Sequence, residues 1–234
     1  MEKKEKLYEG KAKIIYATDD PDIVVQYFKD DATAFNAAKK GTVDEKGVMN
    51  NKISSKVFEF LMAEGIPTHY LKLLNDREML IKKVDIVPVE VVVRNVAAGS
   101  MTRNLGIPES TKLSTTVLEF CYKRDDLNDP LINECHIEVL DLATKEEVET
   151  IKKYTMKINE LMSQFFGSLN LDLIDFKLEF GRYKGEIILA DEISPDTCRL
   201  WETGTGKKLD KDRFRHDMGN IKEAYQEVLS RITK

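Results

Sequence analysis

LIDFKLEFG, residues Leu173–Gly181, alternates apolar and charged side chains along its length. Because successive side chains of a strand face opposite sides of a sheet, the alternation predicts a strand with one face toward the core. The other face carries Asp175, Lys177 and Glu179, spaced about 7 Å apart at a rise of ~3.3 Å per residue. This order of acid, base and acid on one face of the strand indicates a candidate functional site.

The residues that follow this strand predict a hairpin. Gly181–Gly185 (GRYKG) indicates a tight turn, and Glu186–Ala190 (EIILA) indicates a returning strand. Such a hairpin would bring Asp191 close to Glu179. Carboxylate oxygens suit Mg²⁺, and a neighbouring lysine can neutralise phosphate oxygens. The hairpin therefore predicts a Mg²⁺–phosphate site, and the alternative is an ordinary amphipathic strand with a solvated charged face.

The composition excludes several classes of protein. The chain has 234 residues, 42% hydrophobic and 33% charged, with a net charge of −5, enough for one large or two small domains. A mildly acidic chain does not indicate nucleic-acid binding, although a local basic pocket is still possible. No apolar run could span a bilayer and no signal peptide is visible, so no membrane association is expected. The three scattered cysteines indicate reduced cytosolic thiols.

The first third of the chain predicts a small antiparallel sheet with one helix. A glycine-rich, polar stretch, Asp30–Gly47, predicts a loop, and a helix is expected over Val48–Glu64, with Gly65 just past its end. The strand-like segments are Leu7–Tyr16 (broken at Gly10), Asp22–Lys29, Thr68–Leu74 and Glu78–Val84.

The remainder predicts a larger domain. Ile86–Val93 is too continuously apolar to be half exposed, which indicates a central strand with Glu90 embedded in it, and a buried carboxylate needs a partner. A capping box at Thr144 opens a helix over Lys145–Phe166. The fold class is therefore predicted as α+β. Two domains are expected, residues 1–84 and 85–234.

Two further segments have residue types that suit phosphate binding. Gly10 with its flanking lysines resembles a flap, because glycine allows backbone N–H groups to approach phosphate oxygens. Arg94, Gly99 and Ser100 offer a forked donor, close backbone approach and a hydroxyl. There is no P-loop, no H-R-D catalytic loop of protein kinases and no visible covalent nucleophile. The residue set favours phosphoryl transfer by positioning and charge.

Five motifs make the chain resemble the SAICAR synthetase (phosphoribosylaminoimidazole-succinocarboxamide synthase) family over nearly its whole length. One departure is Phe35–Ala38, where some members of the family carry a glycine-rich loop. The motifs are LYEGKAK (7–13), IVPVEVVVRNVAAGS (86–100), LIDFKLEFG (173–181), DEISPD (191–196) and DKDRFR (210–215).

The resemblance implies an ATP-dependent ligase of de novo purine biosynthesis. Such an enzyme joins the carboxylate of carboxyaminoimidazole ribotide (CAIR) to the amine of L-aspartate, giving SAICAR, ADP and phosphate. It further implies an ATP cleft between the two domains, use of Mg²⁺, a cytoplasmic location and a homodimer.

The resemblance also implies roles for individual residues. Asp175 and Lys177 are expected at the reacting centre. Those expected to bind the nucleotide are Gly10, Lys11, Ala12, Lys13, Lys82, Val84, Lys123 and Glu179. Those expected to bind metal are Glu179, Asp191, Glu45 and Asp129. Those expected to bind the ribotide substrate are Glu90, Arg94, Gly99, Ser100, Asp175, Lys177 and Arg199.

Two rival functions stay open at this point. A small-molecule kinase would stop at phosphoryl transfer and show no dependence on aspartate, and a non-catalytic module would bind Mg·ATP without turnover. The binding module is disfavoured, because a protein that only binds Mg·ATP needs no second phosphate-binding segment (Arg94, Gly99 and Ser100) in addition to Asp175 and Lys177. No cluster in the sequence identifies the aspartate site.

Overall fold

The strand-like segments of the N-terminal third form a five-stranded antiparallel sheet. The computed structural model describes residues 1–34 and 38–233. The strands lie in the order β1-β2-β3-β7-β6. Their bounds are Lys6–Glu9 (β1), Lys13–Ala17 (β2), Ile23–Phe28 (β3), Tyr70–Leu73 (β6) and Glu78–Lys82 (β7).

The LIDFKLEFG stretch lies in the middle of a second antiparallel sheet. The strand that contains it, β11, pairs with β8 on one side and with both β12 and β13 on the other. Beyond β8 follow β9 and β10. The bounds are Asp85–Val96 (β8), Lys112–Tyr122 (β9), Leu131–Ile132 (β10), Leu171–Tyr183 (β11), Glu186–Ala190 (β12) and Cys198–Glu202 (β13).

Six helices and a short hairpin complete the described part of the chain. The hairpin pairs β4 (Asp31–Ala34) with β5 (Lys39–Thr42). None of the described helices is long and apolar enough to cross a membrane. The helices are Lys46–Ala63 (α1), Ser100–Leu105 (α2), Glu134–Val139 (α3), Lys145–Ser168 (α4), Asp212–Arg215 (α5) and Ile221–Ile232 (α6).

One continuous apolar core joins both sheets to helices α1, α4 and α6. Phe28 of the first sheet, Phe58 of α1 and Phe176 of β11 are all at most 1% exposed and belong to the same cluster. The chain passes from β7 into β8 within Lys82–Asp85. Helix α6 packs on α1, so the last described helix of residues 85–234 contacts the helix of residues 1–84.

Strand β8 is central, as predicted, but its two faces differ. Val87, Val89, Val91 and Val93 are buried in the core, whereas the alternating residues, including Glu90, are partly exposed. The expectation that this run could not be half exposed is therefore wrong. The second face mixes apolar and charged residues and is not part of the core, because it borders the two cavities described below.

The sequence missed elements that are short or polar. Within Asp30–Gly47 a loop was expected, but the hairpin β4–β5 forms there. Strand β13 was not predicted, although it pairs with β11 along Leu171–Phe176. The predicted helix over Lys145–Phe166 is confirmed as α4, with the Thr144–Glu147 capping box present. Of the loop that departs from the family pattern, residues 35–37 lie outside the described residues.

Candidate active site

The charged face of β11 meets the corresponding face of β8. In the antiparallel register Asp175 lies opposite Arg94, and Glu179 lies opposite Glu90. Directly opposite residues project their side chains on the same side of a sheet. The strand pairing thus collects acids and bases from two separate motifs on one surface, while Phe176 and Leu178 of β11 enter the core.

A cavity of about 600 Å³ separates the first sheet from this surface. Its walls include apolar side chains such as Ile15 and Ile81, which suit a planar aromatic base, and several lysines, which suit phosphates. Every residue expected from the sequence to bind the nucleotide lines it. The expected site residues in its wall are Gly10, Lys11, Ala12, Lys13, Lys82, Val84, Glu90, Lys123, Asp129, Lys177, Glu179 and Asp191.

A second cavity of about 280 Å³ lies next to the first. Every residue expected to bind the ribotide lines this cavity, namely Glu90, Arg94, Gly99, Ser100, Asp175, Lys177 and Arg199. The residues common to the two linings are Glu90, Lys177, Asp196 and Thr197. Lys177 is therefore at the junction of both spaces.

Three carboxylates surround the ammonium of Lys177. Its Nζ is 3.1 Å from Glu90 Oε1 and 3.2 Å from Asp191 Oδ2, and it also donates to Glu179 Oε1. Burial alone would lower the pKa of Lys177, but the negative charges of Asp191, Glu179 and Glu90 outweigh it and raise the pKa well above the ordinary value. Lys177 is thus a permanent cation, suited to stabilising transferring negative charge and unsuited to acting as a base.

Asp191 and Glu179 each have a second lysine partner. Lys13 donates to Asp191 Oδ1, and Lys123 Nζ lies 2.9 Å from Glu179 Oε1. Burial would raise the pKa of Asp191, but Lys13 and Lys177 overcome this and lower it far below the usual range. The carboxylates of Glu179 and Asp191 thus converge on the ammonium of Lys177. Carboxylate oxygens are also the ligands that Mg²⁺ prefers.

Two arginines hold Asp175 in the smaller cavity. Arg199 Nη1 lies 2.7 Å from Asp175 Oδ2, and Arg94 Nη1 lies 3.0 Å from the same oxygen. Arg94 Nη2 also donates to Ser100 Oγ at 2.8 Å. Arg94 Nη2 also lies 2.8 Å from Glu119 Oε2, so this guanidinium pairs with two carboxylates.

The absence of a side chain at Gly99 leaves space for the guanidinium of Arg199. Its φ of +60° is rare for L-residues, and a Cβ built there would lie 2.5 Å from Arg199 Nη2. Any side chain at this position would therefore displace the guanidinium. Glycine is therefore required in this predicted phosphate-binding segment, both by the positive φ and by the close approach of Arg199.

Two of the expected metal ligands have other partners. Glu45 borders neither of the two cavities, and its carboxylate pairs with Lys222 at 2.7 Å. Asp129 lines the larger cavity but uses Oδ1 to accept a hydrogen bond from the Arg124 backbone. Among residues 1–34 and 38–233, no group of three or more His, Cys, Asp or Glu side chains is arranged to hold a metal.

The comparisons with known proteins agree with this geometry. A family model described as SAICAR synthetase matches residues 6–232. A phosphoribosylaminoimidazole-succinocarboxamide synthase from Clostridium botulinum (strain Hall) is 58% identical over 234 residues, 100% of both chains. The enzyme of the same name from Caldanaerobacter subterraneus subsp. tengcongensis is 59% identical over 232 residues, 99% of both chains.

Solved structures show the same fold. The crystal structure of phosphoribosylaminoimidazole-succinocarboxamide synthase from Ehrlichia chaffeensis superposes with a TM-score of 0.96 at 48% identity, covering 98% of both chains. A SAICAR synthetase (Type-2) in complex with ADP superposes with a TM-score of 0.94 at 45% identity, covering 98% of this chain and 97% of the other.

This chain belongs to the SAICAR synthetase family. Membership confirms the predicted family, the α+β SAICAR-synthase fold and the enzyme class. It also confirms the predicted function, an ATP-dependent ligase of purine biosynthesis that acts on CAIR and L-aspartate. The ADP bound to the neighbour of 45% identity agrees with nucleotide use.

The sequence missed the polar residues at the back of the junction between the cavities. Asp196, whose side chain is 4% exposed, accepts hydrogen bonds from Lys46 Nζ at 2.5 Å and from Tyr225 Oη at 2.6 Å. Lys211 lines the larger cavity, and Arg215 lines the smaller one. The available signals were two motifs that carried the resemblance, DEISPD for Asp196 and DKDRFR for Lys211 and Arg215, but these three residues had been given no role.

Proposed function

We propose that the larger cavity binds Mg·ATP, that the smaller one binds CAIR, and that Lys177 acts where the two meet. The observation that carries this proposal is the presence of Lys177 in both linings, with its ammonium among three carboxylates. A group in that position can contact both the γ-phosphoryl group of ATP and the carboxylate that receives it. Stabilising charge as it develops is the largest contribution available to such a site.

The chemistry proceeds by activation of a poor acyl donor. An oxygen of the CAIR carboxylate attacks the γ-phosphorus and ADP leaves, which gives an acyl phosphate. The amine of L-aspartate then attacks the acyl carbon, loses a proton, and expels inorganic phosphate as the amide C–N bond forms. Lys177 stabilises the negative charge on the transferring phosphoryl group, and Asp175 holds the two arginines at the ribotide end.

The nucleotide half of the proposal rests on the lysines and the two converging carboxylates. Residues 1–84 would cover ATP, with Gly10 and Ala12 admitting the phosphates close to the backbone while Lys11 and Lys13 supply charge. Glu179 and Asp191 would hold Mg²⁺, which when bound neutralises phosphate charge. Lys82 and Val84 are proposed to contact the adenine, and Lys123 a phosphate.

The ribotide half of the proposal rests on the arginine cluster, contributed by residues 85–234. Arg94, Ser100 and Arg199 would bind the ribotide phosphate, with Gly99 leaving space for it. Glu90, whose pKa is raised by burial and by Glu179, would face the imidazole ring or a second metal ion. Asp129 lines the nucleotide cavity and remains a candidate ligand for that second ion.

Several features stay predictions that rest on the resemblance alone. They are the cytoplasmic location, the homodimer and a metal-binding role for Glu45, whose carboxylate pairs with Lys222. Size-exclusion chromatography with light scattering would measure the assembly, and a monomer at micromolar concentration would contradict the homodimer.

ADP release from Mg·ATP and CAIR, followed with and without L-aspartate, tests the proposed function. We expect ADP and the succinocarboxamide product to appear together only when aspartate is present. ADP release at full rate without aspartate would instead favour the small-molecule kinase or a hydrolase. Nucleotide binding without any turnover would favour the binding module.

A further inference from the structure

A row of alternating charges crosses the second sheet at the wall of the smaller cavity. Asp175 on β11 lies directly opposite Arg94 on β8 and Arg199 on β13, and it pairs with both arginines. Strand β9 adds Glu119 on the far side of Arg94, with Glu119 Oε2 2.8 Å from Arg94 Nη2. The proposed function uses the two arginines and Asp175, but it leaves the acid at the end of the row without a role.

The pairing of β8 with β9 brings Glu119 to Arg94. Glu119 lies opposite Val92 in the antiparallel register, and Val92 lines the smaller cavity. Opposite residues project from the same side of a sheet, and a diagonal neighbour two residues along is within reach of a long side chain. Glu119 therefore projects from the side of the sheet that carries Arg94, although Glu119 itself borders neither cavity.

Glu119 holds the Nε–Nη2 edge of the Arg94 guanidinium. Arg94 Nε donates to Glu119 Oε2 at 2.9 Å, and Nη2 lies 2.8 Å from the same oxygen. Nη1 is thereby directed to Asp175 Oδ2 at 3.0 Å, and Nη2 also donates to Ser100 Oγ at 2.8 Å. Because a guanidinium is planar and rigid, an anchor on one edge sets the direction of its other N–H groups.

The bond from Arg94 also determines what the Ser100 hydroxyl can do. A serine hydroxyl has one hydrogen to donate and two lone pairs that accept. Because Ser100 Oγ accepts from Arg94 Nη2, its own hydrogen can point to a further acceptor. Ser100 lines the smaller cavity, so a phosphate oxygen there is a suitable acceptor. The direction of this donor thus depends on Arg94, and that of Arg94 on Glu119.

Burial makes the anchor on Arg94 necessary. The side chain of Arg94 is 6% exposed and that of Glu119 is 15% exposed. Without Glu119, a bidentate pair with Asp175 would be the favoured geometry for this arginine. Such a pair would compete with Arg199, which donates to both oxygens of Asp175, and would draw the guanidinium from Ser100. Within residues 1–34 and 38–233, Arg94 supplies the single ion pair of Glu119, so an effect of Glu119 on the site passes through Arg94.

We propose that Glu119 is a positioning residue for binding of the ribotide phosphate. It acts by holding Arg94, and through Arg94 it directs the Ser100 hydroxyl. The inference rests on the proposed function, because it takes the smaller cavity as the site of CAIR, and it extends that site to a residue outside the cavity wall. The negative charge of Glu119 on its own repels a phosphate, so a favourable effect on CAIR binding is specific to the positioning role.

Steady-state kinetics of Glu119→Gln test this role, because the substitution keeps the shape of the side chain and removes its charge. At saturating Mg·ATP and L-aspartate, we expect the KM for CAIR to rise about 10-fold, the low end for loss of a charged hydrogen bond, since glutamine keeps one acceptor oxygen. The KM for ATP should stay close to that of the parent protein, and kcat should change less than the KM for CAIR. Thermal unfolding and ADP binding confirm that the variant is folded.

Glu147→Gln is the matched control. Glu147 binds the Nε and Nη2 atoms of Arg182 at 2.6 and 2.8 Å, and its side chain is 20% exposed, so it resembles Glu119 in chemistry and burial. Glu147 and Arg182 both lie outside the linings of the two cavities, and glutamine also suits the capping box of α4. Its KM for CAIR should equal that of the parent. A comparable rise would mean that losing any such pair loosens the enzyme, and would overturn the proposal.

A double-mutant cycle separates positioning through Arg94 from an independent effect of Glu119. Once Arg94 is replaced by methionine, Glu119→Gln should add little to the KM for CAIR, whereas independent residues give effects that multiply. Multiplied effects, an unchanged KM or a lowered KM would each overturn the proposal.

Two further measurements keep the test decisive. If Glu119→Gln does not fold, Glu119→Asp, which keeps the charge and shortens the side chain, should also raise the KM for CAIR, and an unchanged KM would refute the role. A parent protein that forms no succinocarboxamide would refute the proposed function, which is a separate result. Calorimetric binding of CAIR to the parent and to Glu119→Gln would then test the positioning role by itself, with equal affinities refuting it.

Discussion

Replacing Lys177 with methionine removes the ammonium at the junction while keeping most of the aliphatic stem. The loss of one preorganised group that stabilises charge costs ~10²–10³ in kcat, about 2.7–4 kcal/mol. We expect the upper part of that range, because Lys177 borders both cavities and the other lysines contact only the nucleotide space.

The same substitution should weaken the fold only moderately. Breaking a buried ion pair costs about 3–5 kcal/mol when the remaining charge has no other partner. Here Lys13 remains on Asp191, and Lys123 remains 2.9 Å from Glu179. Glu90 keeps only Lys123, at 3.9 Å. We therefore expect a loss of about 1–2 kcal/mol, assigned mainly to Glu90.

The loss of stability should depend on pH with a definite sign. The pKa of Glu90 is already raised in the folded protein by burial, against the pull of Lys177. Without Lys177 it rises further, so the folded state holds this proton more tightly than the unfolded state does. A carboxyl group of this kind destabilises the protein as the pH rises, and the stability deficit of Lys177→Met relative to the parent should grow as the pH rises above the ordinary carboxyl range.

Single-turnover ADP formation, together with denaturant unfolding, measures both effects. Lys184→Met is the control, because Lys184 lies in the turn of the same hairpin. Its side chain, which pairs with Asp22, is 64% exposed. A Lys177→Met protein that is folded, binds ADP and turns over within threefold of the control would remove Lys177 from the mechanism. An unfolding deficit that does not change with pH would contradict the role given to Glu90.

Three further predictions concern other parts of the site. Asp191→Asn should weaken binding of Mg·ADP in calorimetry while keeping the backbone, since asparagine tolerates the φ of +63° at this position, and equal affinity would mean that the metal pair is misassigned. Gly99→Ala should raise the KM for CAIR about 10-fold or more, because the new Cβ would collide with the Arg199 guanidinium and the positive φ adds about 1–3 kcal/mol of strain; an unchanged KM would show that Arg199 does not bind the ribotide. Burial and the nearby Asp212 raise the pKa of Asp210 to about 7, so ionisation of this group destabilises the fold as the pH rises from about 4 to 7. The stability advantage of the parent over Asp210→Asn should therefore shrink across that range in thermal unfolding, and a constant difference would exclude this role for Asp210.

The sequence predicted the parts of the site that depend on local patterns. The period of two in LIDFKLEFG placed Asp175, Lys177 and Glu179 on one face, and the GRYKG turn predicted the contact between that face and Asp191. Lys177 Nζ indeed lies 3.2 Å from Asp191 Oδ2. Strand alternation and a tight turn are short-range rules, so they can be applied without knowing the rest of the fold.

The parts that were missed depend on residues far apart in the chain. Lys46 and Asp196 form a buried pair across 150 positions, and no local period marks either residue. Glu45 was expected as a metal ligand from the resemblance, but its carboxylate pairs with Lys222 of α6, which lies far along the chain.

The packing of α6 on α1 has a consequence for the order of folding. The Asp196 carboxylate at the cavity junction binds Lys46 from α1 and Tyr225 from α6, so three distant segments must meet before its charge is satisfied. A ribosome adds about 5–20 residues per second, and α6 emerges after every described segment that lines the two cavities. The first sheet can therefore form early during synthesis, but the Asp196 carboxylate gains its hydroxyl donor only after residues 221–232 have left the ribosome.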